Sequence, residues 1–476
     1  MALKHGINTY KDDTGVVAVQ TAAVGIPYFI GAWPCHRGKG YTGKPQLSSG
    51  FSEAEELGGY STEWRNADGS PKWNLCQAMY GYHKLMGMSP AIFYNIFDPA
   101  KHKKAVAVEE FTVTDHIVEL TADAIINDDL KVTAGSASTA LTKGTDYEAY
   151  YSGNALCIEL LADSSSYSAD KLKIGYDVAD LSTITAEDVE MAVETVEMCR
   201  SVVGIVPDLI CAPGWSTDPT VAAVMAAKAP SINGLFRAKA VVDINTKTVN
   251  DYSKVLKHKT DNGYVSEDMI VCWPMVKSGD YLFDLSIIMC GLIAKVDSGN
   301  ADCPYESPSN KSVSITGAVC ADGTEVTLSL PQADVISVSA GVVTVLNNGG
   351  WTLWGNYLGC YPKTSDVAKM FICTNRVQDW ICNTFINTFW QYIDKPLTPA
   401  LRDAIINAFN AWLNGLTAEG KLYGGEIAYS SELNPVTNLM NGMFRLDCQA
   451  ASPIPAQQID MHVQYSVDML EAALGS

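Results

Sequence analysis

The stretch from Cys211 to Pro219 carries residue types that could do chemistry. It follows an apolar run and precedes an Ala-rich segment, which is where α/β enzymes place catalytic loops, so Cys211, Ser216 and Asp218 could serve as a nucleophile and its partners. The structural alternative is a Pro-Gly turn followed by Asp218 as the cap of a helix that begins with proline. Because no general base accompanies the loop in sequence, we favour the structural interpretation.

Two further patterns fall short of known sites. Gly38, Gly43 and Lys44 have the spacing of a P-loop, but Pro45 stands where the magnesium-binding hydroxyl would be. The seven histidines lie far apart, and none belongs to an H-E-x-x-H motif. These patterns predict neither a nucleotide site nor a zinc site.

An oxygen-rich loop is the remaining candidate for a metal site. Asp297, Asn300, Asp302 and Glu306 could supply calcium ligands, but the EF-hand spacing is absent. We interpret the segment as a solvated loop, and the sequence predicts no cofactor and no metal.

The composition points to a folded, acidic protein. The 476 residues suggest about three domains at roughly 150 residues each, and 33 basic against 53 acidic residues give a net charge of −20. Such a charge argues against a wide nucleic-acid-binding face. Hydrophobic residues make up 47% of the chain and charged residues only 18%. This low charged fraction indicates that part of the protein surface is covered in an assembly. The thirteen cysteines form no C-x-x-C pair and are interpreted as reduced, buried thiols.

No membrane-spanning or secretory segment is predicted. The longest apolar stretch, Leu285 to Val296, is interrupted by Lys295 and is shorter than the roughly 20 residues that a span needs, so it reads as a buried helix. Residues 1–10 lack the apolar stretch of a secretory signal. We therefore expect a soluble protein made in a cytoplasm.

Alternating apolar strands and helices predict an α/β layer. Strands are expected at 26–31, 91–97, 205–211, 238–244 and 269–273, with helices at 75–86, from Thr185 and from Pro219. Between about 105 and 180 the pattern changes to short strands with polar turns, which predicts a small inserted sandwich or barrel.

The last third of the chain mixes both types of element. Strands are predicted at 313–315, 325–330, 342–346, 423–429 and 444–448. Asp366 to Ile393 reads as a long helix, and a second helix begins at Thr398-Pro399.

The two chain ends carry the most functional information. Ile459 to Tyr465 alternates strictly after two prolines, and a lone strand is not stable in water. Each end must therefore pair with a sheet in its own chain or in a neighbour, which favours strand exchange between subunits. The candidate interface residues are Ile7, Tyr10, Val17 and Val19 in the N-terminal arm and Ile459, Met461, Val463 and Tyr465 in the C-terminal arm.

Four stretches carry a resemblance to a known family. They are His5–Ile7 with Val24–Pro27 and Gly31–Ala32; Val206–Ser216 with Asp218–Ala222; Pro304–Asn310 with Gly350–Trp351 and Trp354–Asn356; and Asn375–Trp390 with Asn414–Leu416, Gly424–Gly425, Asn434–Pro435 and the alternating C-terminal segment. In order and spacing they resemble the contractile tail sheath proteins of bacteriophages and related contractile injection systems. The resemblance spans nearly the whole chain outside 105–180. Where that family commonly has Arg after Trp-Gly-Asn, this chain has Tyr357.

The resemblance implies a structural protein and not an enzyme. Subunits would stack as hexameric rings in a helical tube around a tail tube, linked by strand exchange of the arms, and contraction would drive the tube through a cell envelope. The implied partners are further copies of the chain and the tube, baseplate and tail terminator proteins, with no nucleic acid and no membrane insertion. The implied location is a virion tail or injection particle assembled in the bacterial cytoplasm. The alternative function is a soluble multidomain α/β enzyme that uses the 211–219 loop.

The expected fold class is α+β multidomain: an α/β sheath core, an inserted all-β domain, and extended N- and C-terminal strand arms. The expected divisions are an N-terminal arm at 1–20, a core in two parts at 21–104 and 181–345, the inserted β domain at 105–180, a tube-proximal C-terminal domain at 346–452 and a C-terminal arm at 453–476.

Overall fold

The computed structural model describes residues 18–39, 43–135 and 140–475. The strands are β1 Pro27–Gly31, β2 Gln46–Ser48, β3 Ala91–Asn95, β4 Lys103–Thr112, β5 Ile117–Thr121, β6 Ala124–Ile125, β7 Lys131–Ala134, β8 Tyr147–Ser152, β9 Ala155–Leu160, β10 Lys171–Ala179, β11 Leu209–Cys211, β12 Lys239–Asp243, β13 Met269–Cys272, β14 Met275–Ser278, β15 Tyr281–Phe283, β16 Gly317–Val319, β17 Thr344–Asn347, β18 Trp351–Trp354, β19 Gly424–Ala428 and β20 Asp447–Ala451. The α-helices are α1 Phe51–Gly58, α2 Asn74–Met79, α3 Ala186–Glu194, α4 Cys199–Val202, α5 Pro219–Lys228, α6 Val255–Asp261, α7 Leu285–Gly299, α8 Leu330–Asp334, α9 Val367–Met370, α10 Ile372–Phe389, α11 Pro399–Ala418, α12 Val436–Met440 and α13 Val467–Leu474.

A six-stranded sheet forms the centre of the molecule, in the order β13-β12-β11-β1-β3-β2. All neighbouring pairs are parallel except β2 with β3. Phe29 of β1 pairs with Cys211 of β11 on one side and with Phe93 of β3 on the other. Every residue of β1, β3 and β12 is buried, as expected for a parallel sheet covered on both faces. The predicted mixed α/β class is confirmed.

The helices around this sheet begin where the sequence predicts. Thr185 and Asp188 form a reciprocal capping box at the start of α3. The side chain of Asp218 accepts a hydrogen bond from the Thr220 N–H, and Pro219 occupies the first position of α5. Helix α7 is buried along most of its length, which agrees with its reading as a core helix. No helix among the described residues is both long and apolar enough to cross a bilayer.

Strands β4 to β10 form two small sheets that share a separate apolar core. One sheet contains β4, β10, β6 and β7, and the other has the order β5-β9-β8. Their shared core includes Val132, Ile158 and Ile174. Asp123 joins this part to the central body, since it accepts a hydrogen bond from Trp73 Nε1 at 3.2 Å and pairs with Lys72 Nζ at 2.8 Å. The extent of an inserted domain at 105–180, and its independence, stay predictions.

The C-terminal part packs α10 and α11 against the β19–β20 hairpin. Its apolar core contains Trp380, Phe389, Phe409 and Leu413 and is distinct from the central core. The Asn410 side chain holds the hairpin by accepting a hydrogen bond from the Ile427 N–H at 2.8 Å.

Several predicted elements in the last third are wrong. Residues 313–315 and 325–330 are not strands; instead β16 lies between them and pairs with β14. Val313 and Ile315 are buried, which explains the strand-like pattern, but they join no ladder. The strand predicted at 444–448 corresponds to β20, which begins three residues later, at Asp447. The strand predicted at 342–346 corresponds to β17, which begins at Thr344.

The predicted long helix from Asp366 to Ile393 is interrupted. Phe371 has an extended backbone, with φ −92° and ψ 135°, and forms an isolated bridge with Tyr357. The helical region is therefore divided into α9 and α10, and α10 ends at Phe389.

Candidate functional site

The Cys211–Pro219 loop is structural. Cys211 is fully buried, and burial raises the pKa of its thiol well above the ordinary value, so the thiolate is disfavoured. Ser216 is also fully buried, and its Oγ accepts a hydrogen bond from the Asp243 N–H at 3.1 Å. Asp218 caps α5. The three side chains have separate structural tasks, so the nucleophile alternative is wrong.

The oxygen-rich loop is also accounted for by internal contacts. Glu306 accepts a hydrogen bond from Asn300 Nδ2 at 3.0 Å and forms an ion pair with Lys311. Asp297 is buried and pairs with Arg376. Within the described residues, no group of His, Cys, Asp and Glu side chains is arranged to hold a metal ion.

A buried ionic cluster around Arg376 links the C-terminal part to the central body. Arg376 Nη2 lies 2.7 Å from Asp208 Oδ2 and 2.5 Å from Asp297 Oδ2. Asp208 Oδ1 accepts a hydrogen bond from the Ile26 N–H at 2.8 Å, just before β1. Burial raises the pKa of Asp297 to about 6, against the opposing effect of Arg376. One guanidinium therefore connects α10, α7 and the segments that lead into β1 and β11.

A second ionic cluster makes the same connection. Lys239 is almost fully buried, and its Nζ lies 2.5 Å from Asp268 and 2.6 Å from Asp379 of α10. Sequence reasoning missed both clusters. The available signal was a pair of charged residues, Arg376 and Asp379, in a helix whose other residues are all uncharged.

The described part of the N-terminal arm runs along α10. Ile7, Tyr10 and Val17 lie outside the described residues. Val19 is half-buried and packs against the C-terminal core. The Ala22 N–H donates to Thr384 Oγ1 at 3.0 Å, and Trp380 Nε1 donates to the Ala22 carbonyl at 3.2 Å.

The C-terminal arm leaves the body at Gln457. The Tyr357 hydroxyl donates to Gln457 Oε1 at 2.6 Å, and Gln457 Nε2 donates to Asn356 Oδ1 at 2.8 Å. From Ile459 to Tyr465 the chain is in no helix or strand. The four candidate residues are strongly exposed: Ile459 88%, Met461 83%, Val463 82% and Tyr465 73%.

The last part of the predicted C-terminal arm (453–476) is helix α13, Val467–Leu474, and not an extended strand. Ser466 caps it by accepting a hydrogen bond from the Met469 N–H. The spacing of Val467, Leu470 and Leu474 places them on one face, which is a sequence signal for an amphipathic helix. No residue of α13 is buried.

An apolar groove of about 620 Å³ lies between α10, α11 and β20. We call it the C-terminal groove. It is lined by Arg237, Ile381, Cys382, Phe385, Ile386, Phe389, Tyr392, Ile393, Leu401, Ile405, Phe409, Ile427, Phe444, Arg445, Leu446 and Cys448. Phe444, Arg445 and Leu446, which precede β20, contribute to the lining together with Cys448 of β20.

Sequence comparison finds similar proteins in phages, and the match to one of them runs from end to end. No family model matches the chain. The tail sheath protein of Burkholderia phage BcepMu is 25% identical over 98% of this chain and 97% of its own length. The tail sheath protein of Escherichia phage P2 is 23% identical over 54% of this chain and 62% of its own length. The chain is similar in sequence to phage tail sheath proteins.

Solved structures share the fold of this chain. The anti-feeding prophage helical sheath in the contracted state matches with a TM-score of 0.58 at 12% identity, covering 98% of this chain and 100% of that one. The sheath of an extracellular contractile injection system, PVC, gives 0.57 at 11% identity over 98% and 100% of the two chains. A sheath tail protein from Desulfitobacterium hafniense gives 0.52 at 12% identity over 90% and 93%.

These findings confirm the resemblance read from the sequence. The homologues are structural proteins and not enzymes, which agrees with the structural roles of Cys211, Ser216 and Asp218. Together, the sequence and structure comparisons support the interpretation that the chain is a structural subunit of a contractile tail sheath.

Proposed function

We propose that this chain polymerises as stacked hexameric rings around a tail tube and contracts to drive that tube through a target cell envelope. Terminal arms link neighbouring subunits by strand exchange. The tube, baseplate and tail terminator proteins are the other partners. The proposed location of the protein is the tail of a virion or an injection particle, which is assembled in the host cytoplasm.

The observation that carries this proposal is the exposed C-terminal arm. Four apolar side chains alternate with Asp460, His462 and Gln464 and lie open to solvent. Exposed apolar surface of this size is unfavourable in an isolated subunit, and the period of two is that of a half-buried strand. A sheet edge in a neighbouring subunit would bury the apolar side chains and form hydrogen bonds with the main-chain groups of the arm.

The β19–β20 hairpin offers such an edge. It is a two-stranded sheet, so each strand has an outer edge without a partner strand in the described part of the chain. A third strand would complete main-chain hydrogen bonds there, since an isolated hairpin is only marginally stable. We assign this hairpin as the receiving sheet.

The two ionic clusters suit a subunit that moves as one body. Arg376 and Lys239 hold α10 to segments of the central sheet with buried, charge-assisted contacts. The body then keeps its shape while the extended arms absorb changes in direction between subunits. The proposed contraction requires this combination of rigid bodies and flexible links, together with an extended state held by a kinetic barrier.

Truncation tests the arm. A chain that ends after Ala451 should stay soluble and keep a native-like circular dichroism spectrum, but should form no tubes in negative-stain micrographs. A matched pair in the full chain refines the test: Met461→Asp with Val463→Asp charges the apolar face, whereas His462→Asn with Gln464→Asn leaves it intact. Only the first pair should abolish tubes. Normal tubes from the truncated chain would overturn the arm model.

A further inference from the structure

The C-terminal groove has the lining of a site that receives an apolar side-chain cluster. Phe385, Phe389 and Phe409 form edge-to-face contacts in its floor, with ring centroids 5.3 and 5.9 Å from that of Phe409. A cavity of about 620 Å³ is large enough for several aliphatic side chains. Concave, mostly apolar clefts of this size are where proteins commonly bind partners.

Helix α13 presents a face that fits this lining. Val467, Leu470 and Leu474 project from one stripe, and they are 56%, 41% and 76% exposed. An eight-residue helix is marginal in water without a surface that buries its apolar stripe. The helix needs a partner surface, and its own chain supplies none among the described residues.

The charges of the two surfaces are complementary. Arg237 and Arg445 lie at the groove, and each also pairs with a carboxylate of its own chain, Asp379 at 3.8 Å and Asp447 at 2.5 Å. The segment from Gln458 to Gly475 contains Asp460, Asp468 and Glu471 and no Lys or Arg. Opposite charges at the rim of an apolar contact fix the orientation of the docked helix.

The arm gives α13 the reach to leave its own subunit. Along the described part of the arm, Gln457 is the last residue with a hydrogen bond to the body. The nine residues from 458 to 466 can span up to about 30 Å when extended. A neighbour whose sheet accepts the arm therefore also receives the helix that follows it.

We propose that the C-terminal groove is the docking site for α13 of a second copy of this chain. The contact is helix-in-groove, with Leu470 and Leu474 in the aromatic floor and the acidic residues toward the arginines. It rests on the proposed self-assembly for its biological setting, and it adds a second anchor after the exchanged strand.

Cys448 provides a native probe, because this exposed thiol lines the groove. Leu474→Cys in the full chain should form a disulfide with Cys448 of another copy under mild oxidation. The matched control is Ala472→Cys, on the opposite face of the helix, which should not. Mass spectrometry of a mixture of ¹⁵N-labelled and unlabelled chains identifies the bond as between copies. A bond within one chain, a bond to another cysteine, or equal yields from the two faces would overturn the proposal.

A peptide separates this inference from the assembly itself. A fluorescent peptide of residues 466–475 should bind the unassembled full chain. Leu470→Ser in the peptide should weaken binding by about ten- to a hundredfold, since that is the factor to which the transfer free energy of one buried leucine corresponds. Ala472→Ser should change it little, and Cys448→Trp in the protein should block it. Absence of binding overturns the docking site even if tubes form. Binding without tubes keeps the docking site and overturns only the proposed function.

Discussion

The hydroxyl of Tyr357 donates a hydrogen bond to Oε1 of Gln457 at 2.6 Å, although the two residues are 100 positions apart. Tyr357 is itself fixed by stacking on Tyr361, with ring centroids 3.7 Å apart and planes 8° from parallel. Gln457 also donates to Asn356. This contact sets the point at which the C-terminal arm leaves the body. Tyr357 stands where the related family commonly has Arg, so in this chain a tyrosine holds the root of the arm.

Tyr357→Phe should loosen the arm without unfolding the body. The ring stack is kept and one hydrogen bond is lost, which costs about 0.5–1.5 kcal/mol. Hydrogen exchange should accelerate at residues 456–458 and stay unchanged in β12. Tyr423→Phe, at an exposed position of the same part of the molecule, is the control. Unchanged exchange at 456–458 would contradict the anchoring role of Tyr357.

Arg376→Met should destabilise the fold strongly. The change leaves Asp208 and Asp297 buried without their cation, and breaking such a pair from one side costs about 3–5 kcal/mol. Urea denaturation measures the loss, and adding Asp208→Asn and Asp297→Asn should recover part of it. Arg402→Met, which removes a partly exposed arginine paired with its chain neighbour, should change stability by less than about 0.5 kcal/mol. Equal losses in the two single variants would count against the cluster.

Asp243→Asn should flatten the pH dependence of stability. Burial raises the pKa of Asp243 to about 8, with a further contribution from Asp284, which pairs with Arg65. The folded state then retains a proton that the unfolded chain releases near pH 4, so this group lowers stability as pH rises from about 4 to 8. The asparagine keeps the shape and the acceptor for the Ser286 N–H. Urea denaturation at pH 5 and pH 8.5 should show a gain for the variant relative to wild type at the higher pH.

Asp251→Asn is the control for this comparison. A hydrogen bond from Ser253 lowers the pKa of Asp251, so its stabilising contribution lies above the ordinary Asp pKa and is lost only in acid. Its replacement should give no gain at pH 8.5. A gain of the same size in both variants would exclude burial of Asp243 as the cause.

Replacing Val106–Val178 with a short Gly/Ser linker should leave polymerisation intact. Lys103 and Ala179 are paired neighbours at the base of β4 and β10, so a short linker can close the gap. The loss of Asp123 leaves the indole N–H of Trp73 without its partner, at a cost of about 1–3 kcal/mol. Trp73→Phe should recover part of that cost in the shortened chain but not in the full one. An unfolded shortened chain would show that this segment belongs to the core.

Higher monovalent salt should promote self-polymerisation near pH 7. Each subunit carries a net charge of −20, and repulsion between packed subunits is screened over a Debye length of about 8–10 Å at ordinary ionic strength. Light scattering during a sodium chloride titration measures the effect. Slower or weaker polymerisation at high salt would mean that attractive ion pairs between subunits dominate.

Local signals in the sequence were sufficient for much of the central body. Thr185 with Asp188, and Asp218 with Pro219, locate two helix starts because a cap and its partner lie within three residues of each other. The apolar runs at β11, β12 and β13 are buried strands of a parallel sheet, as their composition predicts.

Features that depend on distant partners could not be predicted. Arg376 meets Asp208 across 168 positions and Asp297 across 79. Nothing local in the sequence joins them. Val313 and Ile315 look like a strand because they are buried, but burial alone does not supply a ladder partner. The exposed faces of the arm and of α13 can be interpreted only together with the surface that binds them, and a single sequence does not identify that surface.

The position of β1 also dictates an order of events during synthesis. Among the described strands β1 is the first in chain order, yet it lies between β3 and β11. The Ile26 N–H therefore has no acceptor until Asp208, 182 residues later, has been synthesised. At about 5–20 residues per second, that delay is roughly 10–35 s. During this interval the apolar strands β1 and β3 are exposed on one side while β4 to β10 are being translated. Chaperone occupancy on nascent chains should therefore peak before residue 209 and fall once β11 has left the exit tunnel.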